Sequence, residues 1–139
     1  MIILDTSVLS EVIKPAPSQR VLKWLAKEPA SGLFITTITQ AEILYGIELL
    51  PKGRRRTALE SAVEAMFEED FTDRILPFDS SAARVFPKIA AARRASGRPR
   101  TQFDAQIASI ARVQRATVAT RNTTDFENCG VPVVNPWSE

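Results

Sequence analysis

The chain has 139 residues, 45% of them hydrophobic, a formal net charge of +2 and no histidine. That length suits one domain with a core large enough to need no staples, and a chain without histidine excludes Ser-His-Asp and Cys-His catalysis, imidazole zinc ligation and histidine general-base chemistry. Cys129 is the only cysteine, which excludes a disulfide framework and a thiolate zinc site and makes a reducing cytoplasm the expected compartment.

The first residues, MIILDTS, lack a basic start and a cleavage site and read as a strand rather than a signal peptide. Residues 2–4 form a continuous apolar run closed by Asp5 and Thr6, the pattern of a strand buried on both faces. A helix pair is expected next. Ser18 precedes a segment with Val21, Leu22, Trp24 and Leu25 on one side, closed by Pro29 and Gly32. Residues 33–36 are the second strand, and Thr39-Gln40-Ala41-Glu42 opens a helix with Ile43, Leu44, Ile47 and Leu50 at helical spacing, ended by Pro51 and Gly53. Residues 54–67 are expected as a surface helix and 75–78 as a short strand. Asp79 caps a helix through Val85, Ile89 and Ala92 that stops near Gly97 and Pro99, and Asp104 starts another through Ile107, Ile110 and Ala111. Residues 117–119 are a strand; a turn at Asn128-Cys129-Gly130 leads to a last strand over 131–134. Alternating β and α elements predict a three-layer α/β fold with a mostly parallel sheet between helices, as a single domain over residues 1–139. The longest apolar runs, such as 43–50, fall far short of the roughly 18 residues that cross a bilayer, so no membrane association is expected.

In open α/β sheets ligands bind beyond the carboxyl ends of the strands. Asp5 directly follows the first strand, Glu42 lies at the start of the helix after the second, and Asp125 lies in the loop after residues 117–119, so connectivity brings three acids to one edge. Asp104, at a helix start, is placed to join them. Crowded carboxylates repel one another unless a cation neutralises them, and an all-oxygen donor set suits Mg²⁺ or Mn²⁺. Each acid also has a structural role open to it. Asp5 can bond the turn that follows it, and Glu42 fits a capping box with Thr39, which the local pattern alone favours. Asp104 can be an N-cap, and Asp125 suits a Thr-Thr-Asp-Phe turn. Asn122 can offer an amide oxygen, so the fourth ligand is open between Asn122 and Asp125. Asp79 reads as a cap only.

Positive charge gathers at Lys52, Arg54, Arg55 and Arg56, where arginines at a helix start oppose the helix dipole, and at Arg93, Arg94, Arg98 and Arg100. Arg98 and Arg100, close to Asp104, are the candidates for holding a substrate phosphate. The pI near 9.0 permits a polyanion as partner. Trp24 and Trp137 read as core or interface anchors.

The segments MIILDTSVLSE, ITTITQAEILYGI, LPFDSSAA, FDAQIASIA and VATRNTTDFENCGVPVVNPW together resemble PIN-domain ribonucleases of the VapC toxin family, in particular the FitB-like branch. The resemblance implies a PIN-like fold and a metal site in which Asp5, Glu42 and Asp104 match the three principal acids and Asn122 or Asp125 the variable fourth position, with Thr6 and Thr120 supporting. It implies an endoribonuclease hydrolysing RNA, tRNA or rRNA being the favoured class, with Mg²⁺ or Mn²⁺. It further implies a homodimer and a cognate antitoxin, often a DNA-binding one, that inserts a basic side chain among the acids. Ser7 departs from the family's usual asparagine, and Asn122 stands where some members carry aspartate. The alternative is a PIN-like module that binds RNA or a partner without cutting. A receiver-type signalling domain needs an acidic pair after the first strand, which Asp5 lacks, and a flap nuclease needs a helical arch for which the chain has little room.

Overall fold

In the structure, a computed structural model, residues 1–97 and 101–139 are described. Arg98 and Arg100, the phosphate candidates, lie outside the described residues.

Strand β1 (Ile2–Leu4) leads into helices α1 (Thr6–Val12) and α2 (Gln19–Ala26), then β2 (Leu33–Thr36), α3 (Thr37–Glu48), α4 (Arg54–Ala65) and β3 (Ile75–Leu76). Helices α5 (Ser80–Ala95) and α6 (Gln102–Gln114) follow, then β4 (Thr117–Ala119) and β5 (Val133–Val134). The strands pair in the order β3-β2-β1-β4-β5, every pair parallel. Successive strands β1, β2 and β3 build outward in one direction, and the chain then returns to lay β4 on the other side of β1. The carboxyl ends of β1 and β4 therefore flank the point where the order reverses, the position at which such sheets leave a crevice.

Alternation along the central strands divides the core between two faces. Ile3 and Val118 pack with Ile89, Ile107, Ile110 and Phe126 under α5 and α6. Leu4 and Ala119 pack with Val8, Leu9, Val21, Ile43, Ile47 and Val63 under α1 to α4. Both faces are covered, which is why β1 reads as an unbroken apolar run. Each fully buried Ile, Leu or Val contributes about 1.5–3 kcal/mol of transfer free energy.

Helix starts explain where the sequence reading holds. Ser18 Oγ accepts from the Val21 amide at 3.4 Å and opens α2. Asp79 Oδ1 accepts from the Ala82 amide at 3.0 Å and opens α5. Two starts fall earlier than expected. Helix α3 is capped by Thr36, whose hydroxyl accepts from the Thr39 amide at 3.1 Å, so Thr39 is inside the helix and Glu42 is no capping-box partner. Helix α6 is capped by Thr101, which accepts from the Asp104 amide at 3.4 Å, and Asp104 sits in the first turn instead of capping it. On α3, Ile43 and Ile47 face the core while Leu44 turns outward. The helix expected over 54–67 ends at Ala65 and continues as a π turn, Met66–Asp70. No helix of the described residues is long and apolar enough to cross a membrane.

Candidate metal and catalytic site

Asp5 is the residue that follows β1, and its backbone N–H bonds Ala119 O of β4 at 2.9 Å, which fixes it at the switch point. Its side chain is buried. Two hydroxyls converge on one oxygen: Thr120 Oγ1 donates to Asp5 Oδ2 at 2.8 Å and Ser7 Oγ donates to the same atom at 2.9 Å. Oδ1 receives no hydrogen bond from the described residues, so the carboxylate is oriented through one oxygen and presents the other. Thr120 Oγ1 and Ser7 Oγ in turn accept the backbone N–H groups of Asn122 and Arg121 at 3.1 and 3.2 Å, tying the loop after β4 to the end of β1. Serine at position 7 thus supplies both a donor and an acceptor.

Glu42 lies one turn into α3 and faces α1. Thr6 Oγ1 donates to Glu42 Oε1 at 2.8 Å and stands 2.9 Å from Thr39 Oγ1. A hydroxyl has one proton, so with Thr6 donating to Glu42, Thr39 donates to Thr6. This relay across α1 and α3 is the reason Thr39 is fully buried without being a cap. Burial raises the Glu42 pKa, the Thr6 hydrogen bond lowers it and the charge of Asp5 raises it.

Asp104 enters from the first turn of α6. Its pKa is pushed up to about 6, first by burial, then by the charges of Asp125 and Asp5, against lowering by a Thr101 hydrogen bond and by Arg93. Asp125 belongs to a 3₁₀ turn, Thr123–Phe126, that follows β4. Its backbone carbonyl accepts from Arg93 Nη1. The same guanidinium nitrogen reaches Cys129 Sγ at 3.5 Å, and burial raises the Cys129 thiol's pKa. Arg93, expected among the basic residues facing a polyanion, is therefore 4% exposed and positions the loop that carries Asp125. Asn122 precedes that turn; its carbonyl accepts the Asp125 amide at 3.0 Å.

Asp5, Glu42, Asp104 and Asp125 thus form one electrostatic group, with Asp5 acting on both Glu42 and Asp104. Among the described residues none of Asp5, Glu42 and Asp104 forms an ion pair, and no three acids stand close enough to enclose a metal ion as their side chains lie. The donor chemistry fits a hard divalent cation: the groups are all oxygen, two have raised pKa values that a cation would lower, and Asp5 Oδ1 is free to turn to it. Beside Glu42 lies a cavity of about 580 Å³ lined by Ala41, Glu42, Tyr45 and Phe103. Tyr45 and Phe103 are 66% and 49% exposed. Trp24 and Trp137 pack against the core, and Arg121 lies over the Trp137 ring at 5.2 Å.

Fold and site together define a class: an all-parallel α/β domain whose carboxylates collect at the switch point beyond the strand ends. The family model for the PIN domain matches residues 2–130. The chain is 36% identical over 137 residues to the VapC ribonuclease Y4jK of Sinorhizobium fredii, covering 99% of this chain and 98% of that protein. It is 36% identical over 139 residues to the toxin FitB of Neisseria gonorrhoeae, covering all of both chains. Among solved structures, one of FitAB bound to an IR36 DNA fragment superposes with a TM-score of 0.92 at 36% identity, covering 99% of this chain and 96% of the other. The chain belongs to the PIN domain family.

Proposed function

We propose that this protein is a Mg²⁺- or Mn²⁺-dependent endoribonuclease, the toxin of a type II toxin-antitoxin module, and that the single domain of residues 1–139 carries the activity. The observation that carries the reading is the group of acids at the β1/β4 switch point, where burial and neighbouring carboxylates raise the pKa values of Glu42 and Asp104. Asp5, Glu42 and Asp104 would hold the metal, with Asp125 or Asn122 as the fourth ligand; the effect of Asp125 on Asp104 favours Asp125. A bound divalent cation would supply positive charge for the phosphate oxygens and lower the pKa of a water. The chain's own part is positional. Ser7 and Thr120 hold Asp5 through Oδ2, Thr6 holds Glu42 through Oε1, and Thr101 holds the start of α6, so the acids are oriented from the elements that carry them. Arg98 and Arg100 are the residues proposed to meet the substrate phosphate, on their nearness in sequence to Asp104. Single-stranded RNA or a tRNA-like loop suits an open acidic cleft, because its scissile phosphate is not shielded by a duplex.

The relatives' names support the rest. VapC ribonuclease and toxin FitB give the activity and the biological class, and the DNA-bound FitAB structure supports a DNA-binding antitoxin partner. Leu44, Tyr45 and Leu49 of α3 and Phe103 of α6 are large apolar side chains left exposed, which supports a homodimer. A cytoplasmic setting fits a toxin acting on tRNA or rRNA. A non-catalytic reading draws on the spacing of the acids, and metal binding separates the two.

The test is cleavage of mixed tRNA and rRNA by purified protein with Mg²⁺, with Mn²⁺ and with EDTA, beside calorimetric metal titration. Metal-dependent cutting is expected. Failure to bind either metal would sink the nuclease reading, and metal binding without cutting of any RNA would favour the non-catalytic one.

A further inference from the structure

Arg54, Arg55 and Arg56 begin α4, where positive side chains oppose the dipole and lower stability slightly. Arg56 is accounted for within the fold: it pairs with Glu48 at 2.8 Å and Glu60 at 2.8 Å and donates to Leu50 O at 3.3 Å. Lys52, Arg54 and Arg55 are exposed and form no ion pair among the described residues. The first turn of α4 holds no acid to offset them. Folding gains nothing from their charge.

These side chains help line a cavity of about 260 Å³ formed by residues 50–56. A second cavity, of about 150 Å³, is lined in part by Ile13, Glu42, Gly46, Ile47, Leu50 and Leu59. It shares Glu42 with the acidic site and Leu50 with the basic cavity, which places the three in order along α3 and marks a path from one to the other. Gly46 lies on that path, and a Cβ built there meets nothing within 4 Å. The glycine costs the helix up to about 1 kcal/mol and fills no packing need; it leaves the path bare. From Glu42 to the end of α3 at Glu48 the helix rises about 9 Å, a distance an extended RNA strand covers in a few nucleotides.

We propose that Lys52, Arg54 and Arg55 form a remote phosphate subsite for the RNA strand, which runs from the carboxylates along the Gly46 face of α3 to this basic mouth. The proposal rests on the ribonuclease reading for the identity of its ligand. Arginine forks match phosphate oxygens, and a track with acids at one end and uncompensated cations at the other fits a strand that is cut at the first and gripped at the second. The grip acts on binding, away from the reacting atoms.

The experiment measures binding of a fluorescent 12-nucleotide single-stranded RNA in Mg²⁺ at several salt concentrations. The protein carries Asp104→Asn so that no RNA is consumed. To that parent are added Lys52→Gln, Arg54→Gln and Arg55→Gln together, or, as a charge-matched control, Lys23→Gln, Lys27→Gln and Lys88→Gln. Loss of three phosphate contacts should weaken binding about tenfold or more at low salt and make the log-log salt slope shallower by about 2, with the melting temperature unchanged or higher. The control should keep the parent's affinity and slope. Unchanged RNA affinity and slope in the first triple variant overturn the proposal and leave the mouth to an acidic protein segment. An equal loss in the control, a lowered melting temperature in the test variant, or no RNA binding by the parent also overturns it. RNA binding lost only in the test variant, from a protein whose unsubstituted form cuts nothing, upholds the subsite while the nuclease reading fails.

Discussion

Replacing Asp104 by asparagine should stabilise the metal-free protein while abolishing cleavage. The Asp104 carboxyl is pushed up to about 6 in the folded chain, against 3.8 for an unperturbed aspartate. Between those values the folded state holds the proton that the unfolded state has already released, so stability falls as pH rises through the window and the full penalty stands above it. A shift of about two units at 1.36 kcal/mol per unit sets a ceiling near 3 kcal/mol. Asp104 keeps partial contact with solvent, and screening reduces the figure to about 1–2 kcal/mol.

Asparagine carries no charge and escapes the penalty. Urea unfolding in EDTA at pH 7.5 should therefore give Asp104→Asn a stability about 1–2 kcal/mol above the parent, and at pH 4.5 the gap should shrink to about a third. Adding Mg²⁺ should reverse the order, because ligand binding to the folded state stabilises in proportion to affinity and the variant lacks a carboxylate to offer. A variant less stable than the parent in EDTA at pH 7.5, or a gap that does not depend on pH, would refute the argument that burial, reinforced by the charges of Asp125 and Asp5, raises the Asp104 pKa.

Thr6→Val removes the hydroxyl whose hydrogen bond lowers the Glu42 pKa. Glu42 should then hold its proton to higher pH, and calorimetric titration should find weaker Mg²⁺ or Mn²⁺ binding near pH 6, with the loss diminishing by pH 8. Asp79→Ala should destabilise the fold by about 1 kcal/mol through loss of the α5 cap, read in urea unfolding, with cleavage unchanged because the carboxylate is committed to the Ala82 amide; a loss of activity without a loss of stability would show that Asp79 serves the site instead.

The β/α alternation was legible because β1, β2 and β4 are apolar runs bounded by turn-forming or polar residues, and helices α2 and α5 announce themselves by Ser18 and Asp79. The start of α3 was not. ITTIT offers several threonines as caps, and Thr39-x-x-Glu42 is locally the better motif. What decides between them is Thr6, 33 residues away in the chain, which draws both Thr39 and Glu42 to α1. Arg93 was misplaced for a related reason. It stands in a basic run, yet it follows Ile89 by one helical turn and so shares the buried face, a spacing that pointed inward. The acids' common edge followed from connectivity, but the strand order that sets Thr120 beside Asp5 depends on which side of β1 the returning chain takes. Nothing local in 117–119 records that choice.

The end of β1 also has a mechanical consequence. Ile3 is wedged into the layer beneath α5 and α6, and Leu4 into the layer beneath α1 to α4, and the next residue is Asp5. In the metal-holding role proposed for Asp5, its carboxylate is a gauge reading both layers at once, so slack introduced in either is transmitted to a group whose use would depend on fractions of an ångström. Distant packing changes should therefore register as lost turnover in a chain that still melts at an ordinary temperature, and drift in the core is policed by chemistry before it is policed by unfolding.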